Sequence, residues 1–543
     1  MNRRFFKILF TSLIALFIIS ACSKDSGSTD EATDNGSSAS EGNSVAANDT
    51  LIVGLEAEPT SFDPHQLSDY NSSRAAMELY DQLVRFKDGS TELEPSLAEK
   101  WDVSEDGLEY IFTLRDDVKF HDGTQFNANA VKFSIDRQID PSHPFHDTGQ
   151  FAYADFTFGM VDKVEVLGDY EVKITLQEAF APFLSNMAMH SASIVSPSAV
   201  EKYGEDFTKN PVGTGPFKFV SWSPGVEAVL EKNEEYFGTS PKISKIIFKP
   251  IAEAQTRLAE LEAGNINLIV NVPPDDLVRL QDDDRVQIIE DAGMHVWWTA
   301  FNTQKEPFDN VKVRQAVNYA VDKEAIIDGL LQGTGELANS PIPPNVWGHN
   351  PNVKNYPHDP EKAKELLAEA GYPDGFEVDY WVPESGSGMQ QPQVMAAAIQ
   401  ADLAKIGVKL NIQTFEWGTY LDKVFVPIEE SDMDMHQMSW IGDNGDPDNF
   451  LYILLSGEQW PTKGFNDSYY DNPEVNELLN KARVTSDKSE RTAMYEKVQE
   501  IVMEEAPWLV LDYEKQIVLA TPNLKNFTLH PTGVFRFSNV VLE

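Results

Sequence analysis

Residues 395–413 read MAAAIQADLAKIGVKLNIQ. Met395, Ile399, Leu403 and Ile406 recur at three- and four-residue intervals and line one face of a helix. Gly407 closes that helix, because glycine adopts positive φ without steric cost. Beyond it Val408, Leu410 and Ile412 alternate with Lys409, Asn411 and Gln413, the two-residue period of a half-buried strand. A helix handed directly to a strand predicts an α/β unit.

The same pattern extends outward. Val313, Ala316, Val317, Ala320 and Val321 keep helical spacing. So do Ala363, Leu366, Leu367 and Ala370, with Asp359-Pro360 as a start and Gly371 as a stop. Met494, Val498, Ile501 and Val502 line another helix, closed by Pro507, before a strand predicted over 508–511. Toward the N-terminus Tyr170, Val172, Ile174 and Leu176 alternate with Glu171, Lys173 and Thr175, which reads as a strand. Helix–strand alternation is strongest between about 310 and 515, and residues 85–200 read as richer in strands and turns. No fixed-period repeat is present, which argues against solenoids and propellers.

The chain has 543 residues and a formal net charge of -44. Such a surface repels phosphate backbones and anionic headgroups, so nucleic acid is not an expected partner. The charge is spread along the chain and reads as a solvated coat rather than a site.

The single cysteine, Cys22, excludes an internal disulfide. Arg3, Arg4 and Lys7 precede an apolar run from Ile8 to Ile19, too short and wrongly flanked to span a membrane. Residues 1–21 therefore read as a signal peptide. Ile19-Ser20-Ala21-Cys22 resembles a bacterial lipobox, which implies cleavage before Cys22 and acylation of its thiol. Apart from Cys22, Lys24, Thr29, Thr33 and the only large aliphatic, Val45, residues 22–49 are Ser, Gly, Asn, Ala, Asp and Glu, a composition that reads as a disordered tether. Together they predict a protein held by lipid at the extracytoplasmic face of the cell membrane.

Catalytic signatures do not emerge. Gly213-Thr214-Gly215 lacks the third glycine and the lysine of nucleotide loops, and neither HExxH nor GxSxG occurs. His143 and His146 fall in a Pro-rich turn without a partner, so no metal site and no cofactor is expected. One acidic cluster stands out, Asp443-Asn444-Gly445-Asp446-Pro447-Asp448-Asn449. Its third position is Gly445 and its sixth Asp448, which departs from a calcium loop. Trp440 and Ile441 enter it and Phe450, Leu451 and Tyr452 leave it. An acidic turn hemmed by aromatics reads as a pocket edge where a carboxylate could receive a ligand cation.

Several blocks in order carry a more specific resemblance. They are Leu97-Ala98-Glu99-Lys100-Trp101, Tyr110-Ile111-Phe112-Thr113-Leu114-Arg115, Val118-Lys119-Phe120-His121-Asp122-Gly123, Val212-Gly213-Thr214-Gly215-Pro216-Phe217 and Trp440-Ile441-Gly442-Asp443-Asn444-Gly445-Asp446-Pro447-Asp448-Asn449-Phe450. From about Leu51 to the C-terminus the chain resembles the family 5 extracellular solute-binding proteins, the dipeptide and oligopeptide binders of ABC importers. The resemblance implies a two-lobed periplasmic-binding-protein-like α/β fold of type II, with a subdomain inserted in lobe I and a hinge crossed twice. Carried over, lobe I is 50–295 plus 515–543, with the insert at about 85–200, and lobe II is 296–514. It also implies a monomer that binds peptide between the lobes, partners an importer's permease and ATPase, and is not an enzyme.

Within that resemblance Asp443, three residues after Trp440, holds the place of the aspartate that binds a peptide α-ammonium, with Gly442 beside it. Trp417, in Glu416-Trp417-Gly418-Thr419-Tyr420, matches a cleft tryptophan; read from the residues alone it is core packing. The dipeptide binders carry a carboxylate-clamping arginine upstream of the 393–406 helix. Here that place falls near Gly386, in Pro383-Glu384-Ser385-Gly386-Ser387-Gly388-Met389-Gln390, without a basic residue. Gly386 and Ser387 therefore stand as a backbone nest for a carboxylate or as a plain loop. Nickel chelate, oligosaccharide, haem and glutathione remain as alternative ligands, with Trp297-Trp298 and Trp440 leaving sugar open, and a carboxylate-dependent hydrolase as an alternative class.

Overall fold

The computed structural model describes residues 49–543 apart from Ser68, Ser385 and Ser387. The expected signal peptide, Cys22, the tether up to residue 48, and Ser387 lie outside the described residues.

The opening stretch folds as read. Helix Pro392–Ala404 buries Met395, Ala396, Ile399 and Leu403. Gly407 turns the chain at φ 84°, and strand Lys409–Phe415 runs parallel to Glu377–Pro383. Helices Val311–Ala320 and Pro360–Glu369 bury the predicted apolar faces. Asp359 caps the second by accepting from the Lys362 N–H, and Gly371 ends it at φ 95°. Caps of this kind satisfy backbone donors that a helix leaves open at its start.

These elements belong to a 12-stranded mixed sheet. Its central strand is Trp508–Ala520, which is longer than the 508–511 segment expected. The first half of this strand pairs antiparallel with His295–Phe301 and Gly335–Leu337. Its second half pairs with Leu268–Val270 and Gln287–Ala292. One strand thus joins two half-sheets, and the chain passes between them again at 292–295, where Gln287–Ala292 gives way to His295–Phe301. The apolar pattern stops at Glu514-Lys515-Gln516 because the strand crosses there from one core to the other, beside a cavity.

Helices cover both faces of the half-sheet around His295–Phe301, and every residue of that strand is buried. Alternation sends Trp297 into the core shared with the Pro392–Ala404 helix and Trp298 into the core shared with Lys488–Glu505. Trp298 stacks on Trp508 at 4.3 Å between ring centroids. The Trp297-Trp298 pair, read as a possible sugar platform, is therefore interior packing.

Residues 85–200 contain an antiparallel four-stranded sheet, ordered Ala98–Val103, Glu109–Leu114, Glu171–Leu176, Val161–Gly168. Helix Ala128–Ile139 lies on it around a core of its own. A buried ion pair fastens this helix to the segment after the first strand. Arg137 donates to Asp63 Oδ2 at 2.6 Å and to Thr148 Oγ1 at 3.1 Å, and both charged side chains are fully buried. Gly213 and Gly215 also find a structural reason. A methyl on Gly213 would fall 2.1 Å from the Leu79 carbonyl oxygen, so glycine allows the two backbones to meet.

Candidate functional site

A cavity of about 640 Å³ opens between helix Tyr70–Ala76, with Tyr153 and His190, on one side and Trp417, Trp440 and Asp443 on the other. A second cavity of about 390 Å³ adjoins it and shares Glu56, Tyr70, Gly386 and Ile441. The structure therefore brings together Asp443, Trp417, Trp440 and Gly386.

Asp443 lies between strand Met435–Ile441 and helix Asp448–Leu455. The acidic turn that carries it is held by hydrogen bonds and ion pairs. Asn449 Oδ1 accepts from the Asp443 N–H at 3.2 Å and from Trp440 Nε1 at 3.1 Å. Asp446 is paired with Arg491 at 2.7 Å, and Asp448 lies 3.4 Å from Arg483. Gly445 holds φ 68° against Thr91. The turn's other carboxylates are thus engaged by arginines remote in sequence.

Asp443 is different. Among the described residues no hydrogen bond or ion pair reaches its carboxylate. Burial pushes this carboxyl up to about 7, because a low-dielectric surrounding disfavours the anion. The neighbouring phenols feel it: Asp443 is the foremost cause raising Tyr153, and it adds to burial in raising Tyr70.

Gly442 lies behind this wall and lines neither cavity. Its N–H donates to the Met294 carbonyl at 2.7 Å, and a methyl there would sit 2.6 Å from the Phe450 ring. Trp417 is the first residue of helix Trp417–Val424 and stacks on Tyr420 at 5.8 Å. It belongs both to the core and to the cavity wall, which joins its two readings. Gly386 packs against the same indole; an added methyl would approach it to 3.0 Å. The loop beyond is tied down by His295, whose Nε2 bonds the Gly388 carbonyl at 2.6 Å.

Several lining residues had no sequence signal. Glu56 accepts from the side-chain amides of Asn71, at 3.4 Å, and of Asn271. Glu514 accepts from Gln390 at 2.8 Å, and burial raises its carboxyl above the ordinary range. Tyr70, Tyr153 and Arg74 complete the walls. The chemistry on offer is recognition: a desolvated anion, phenols, aromatic faces and main chain.

Comparison with known proteins agrees with this geometry. The family model described as bacterial extracellular solute-binding proteins, family 5 Middle, matches residues 92–462. The chain is 38% identical to heme-binding protein A of Haemophilus influenzae, with 99% of each chain covered. It is 37% identical to the dipeptide-binding protein of Escherichia coli, covering 91% of this chain and 95% of that one. Among solved structures, HbpA2 from Haemophilus parasuis superposes with a TM-score of 0.84 at 35% identity, covering 91% of this chain and all of that one. The periplasmic binding protein DppA from Helicobacter pylori, in complex with the peptide STSA, superposes at 0.79 with 36% identity, covering 91% and 98%. With a two-lobed binding-protein fold and this breadth of match, the chain belongs to the bacterial extracellular solute-binding proteins of family 5.

Proposed function

We propose that this protein captures peptides between its two lobes and delivers them to the permease and ATPase of an ABC importer. The observation that carries the reading is Asp443, a buried carboxylate that faces the larger cavity without a partner. A buried anion held in this state is completed by a cation, and an α-ammonium supplies one with charge-assisted hydrogen bonds. Trp417 and Trp440 give flat faces for peptide backbone and side chains. Relatives named for dipeptide binding, and a related structure holding a peptide, support the ligand class.

We take 50–295 with 515–543 as lobe I, carrying an insert at about 85–200, and 296–514 as lobe II. Closure about the two crossings between half-sheets brings Asp443 onto ligand held by the Tyr70–Ala76 wall. The protein acts as a monomer without a cofactor, and it is a binder rather than an enzyme.

Native mass spectrometry of the protein, followed by denaturation, tests the ligand. Release of peptides supports the reading; release of one non-peptide species overturns it. Haem is the second reading, supported by the relative named for it. His190, the histidine lining the larger cavity, already has its Nε2 on the Leu67 carbonyl at 3.2 Å, which disfavours it as an iron ligand.

Lipid at Cys22 holds the protein outside the cell. Cys22→Ser then releases protein into the medium or leaves the signal peptide uncut. Normal lipid labelling of that variant contradicts the anchor.

A further inference from the structure

The stretch 383–390 contains no basic residue, so the loop at Gly386 offers a ligand carboxylate no counter-charge. The opposite wall does. Helix Tyr70–Ala76 is started by Asp69, whose side chain accepts from the Ser72 N–H at 2.8 Å. Arg74 follows Tyr70 by four residues, which puts both on one face. Its guanidinium lies 5.5 Å from the Tyr70 ring centroid and 4.9 Å from that of Phe535. Two rings hold it in place at the edge of the second cavity.

Its donors are largely unused. A guanidinium has five N–H groups. Here Nε donates to the Gly533 carbonyl at 3.3 Å, and among the described residues Arg74 makes no other hydrogen bond and no ion pair. Burial, opposed chiefly by Glu56, pulls the group below its ordinary range, the mark of a charge without close compensation.

The neighbours are already engaged. Glu56 accepts from two side-chain amides and Glu514 from Gln390. Of the other cations on the two cavities, Lys515 reaches Glu290 at 3.8 Å, and Arg536 donates to the Phe86 carbonyl at 2.6 Å and to Asp88 at 3.2 Å. Arg74 is thus the cation with a fork to spare. Tyr70 lines both cavities, and its phenol feels both Asp443 and Arg74.

We propose that Arg74 receives the carboxylate of a ligand whose ammonium sits on Asp443, so that the second cavity, lined by Arg74 as well as by the Gly386 loop, is the carboxylate subsite. A planar fork matches a carboxylate with two parallel hydrogen bonds. The inference rests on the peptide reading and goes further by assigning which end of the peptide lies where.

The test is calorimetry with tri-alanine and tetra-alanine, each as free acid and as C-terminal amide, on wild type, Arg74→Gln and Arg74→Lys. Wild type is expected to prefer the acid by about tenfold to hundredfold, the range of a charged hydrogen bond. Arg74→Gln should bind acid and amide alike, with amide affinity near that of wild type. If the Gln variant loses the amide too, the Lys variant decides. A narrowed acid-to-amide ratio supports the subsite, and an unchanged ratio overturns it. A wild-type preference for the amide also overturns it, since Glu56 and Glu514 then take a cation. Failure of wild type to bind either form overturns the peptide reading itself.

Discussion

Asp443→Asn is expected to weaken binding of a free-amine peptide by about 3–5 kcal/mol, the usual cost of leaving one buried charge unpaired. The asparagine keeps the shape of the wall and removes only the anion that meets the ligand's ammonium. Calorimetry with a peptide and its N-acetylated form checks this: the loss should appear for the free amine and vanish for the acetylated peptide. Equal affinities of wild type and variant for the free amine sink the assignment.

The same carboxyl sets a pH dependence. In the empty cleft burial holds it up to about 7, and an ammonium binds only the ionised form. Above pH 7 the anion is present, and affinity holds until the peptide's own α-ammonium begins to lose its proton near about pH 8. Below it a proton must leave on binding, so affinity falls by about tenfold, or 1.4 kcal/mol, for each pH unit. Proton release measured in buffers of different ionisation enthalpy should rise as pH falls through 7, and Asp443→Asn should abolish it. For the empty protein the sign is opposite. The folded carboxyl sits above its ordinary value of 3.8, so the fold loses stability as pH rises toward 7. Asp443→Asn should then stabilise the unliganded protein at pH 8 while it weakens binding.

Asp63→Ala carries the second large effect, on folding. It strands Arg137, which is fully buried and donates to Asp63 at 2.6 Å. Arg137 also donates to His65 Nδ1 at 3.3 Å, and His65 Nε2 bonds the Ser193 carbonyl at 2.9 Å, so the pair anchors several segments at once. The expected loss is about 3–5 kcal/mol, read as a lower urea midpoint. Substituting Asp63→Leu together with Arg137→Met should recover much of it, because a buried pair replaced whole leaves no orphan charge. Arg137 and the further donors hold the Asp63 carboxyl below its ordinary range against burial. The stability from this pair is therefore complete above pH 3.8 and is lost as pH falls through the depressed value.

What could be read from the chain follows from range. Met395, Ile399 and Leu403, or Ala363, Leu366 and Leu367, signal through spacing along one element, and the helices they mark are present. Apolar patterning marks only the first part of the Trp508–Ala520 strand because its Glu514-Lys515-Gln516 stretch borders a cavity instead of a core. Asp443 was legible through its motif, but its isolation was not. That depends on Arg491 and Arg483 taking Asp446 and Asp448 and leaving Asp443 alone. Tyr70, Tyr153 and Arg74 sit in segments without periodicity or motif, so only tertiary placement reveals them. Trp297 and Trp298 look alike in sequence, and the strand's alternation sends them into separate cores.

The long strand also constrains how the molecule can assemble. Residues 508–520 come late in the chain, yet four other strands pair with them. Until they arrive, Gln287–Ala292 and Gly335–Leu337 have no neighbour at all, and Leu268–Val270 and His295–Phe301 each keep one bare edge. Unpaired edges of this kind invite pairing with other chains. A chain that emerges N-terminus first would therefore carry both half-built sheets unsealed through most of its synthesis and export. Its last segment then acts as the closing stitch, and protection from misassembly in that interval has to come from outside the chain or from the repulsion of its own acidic surface.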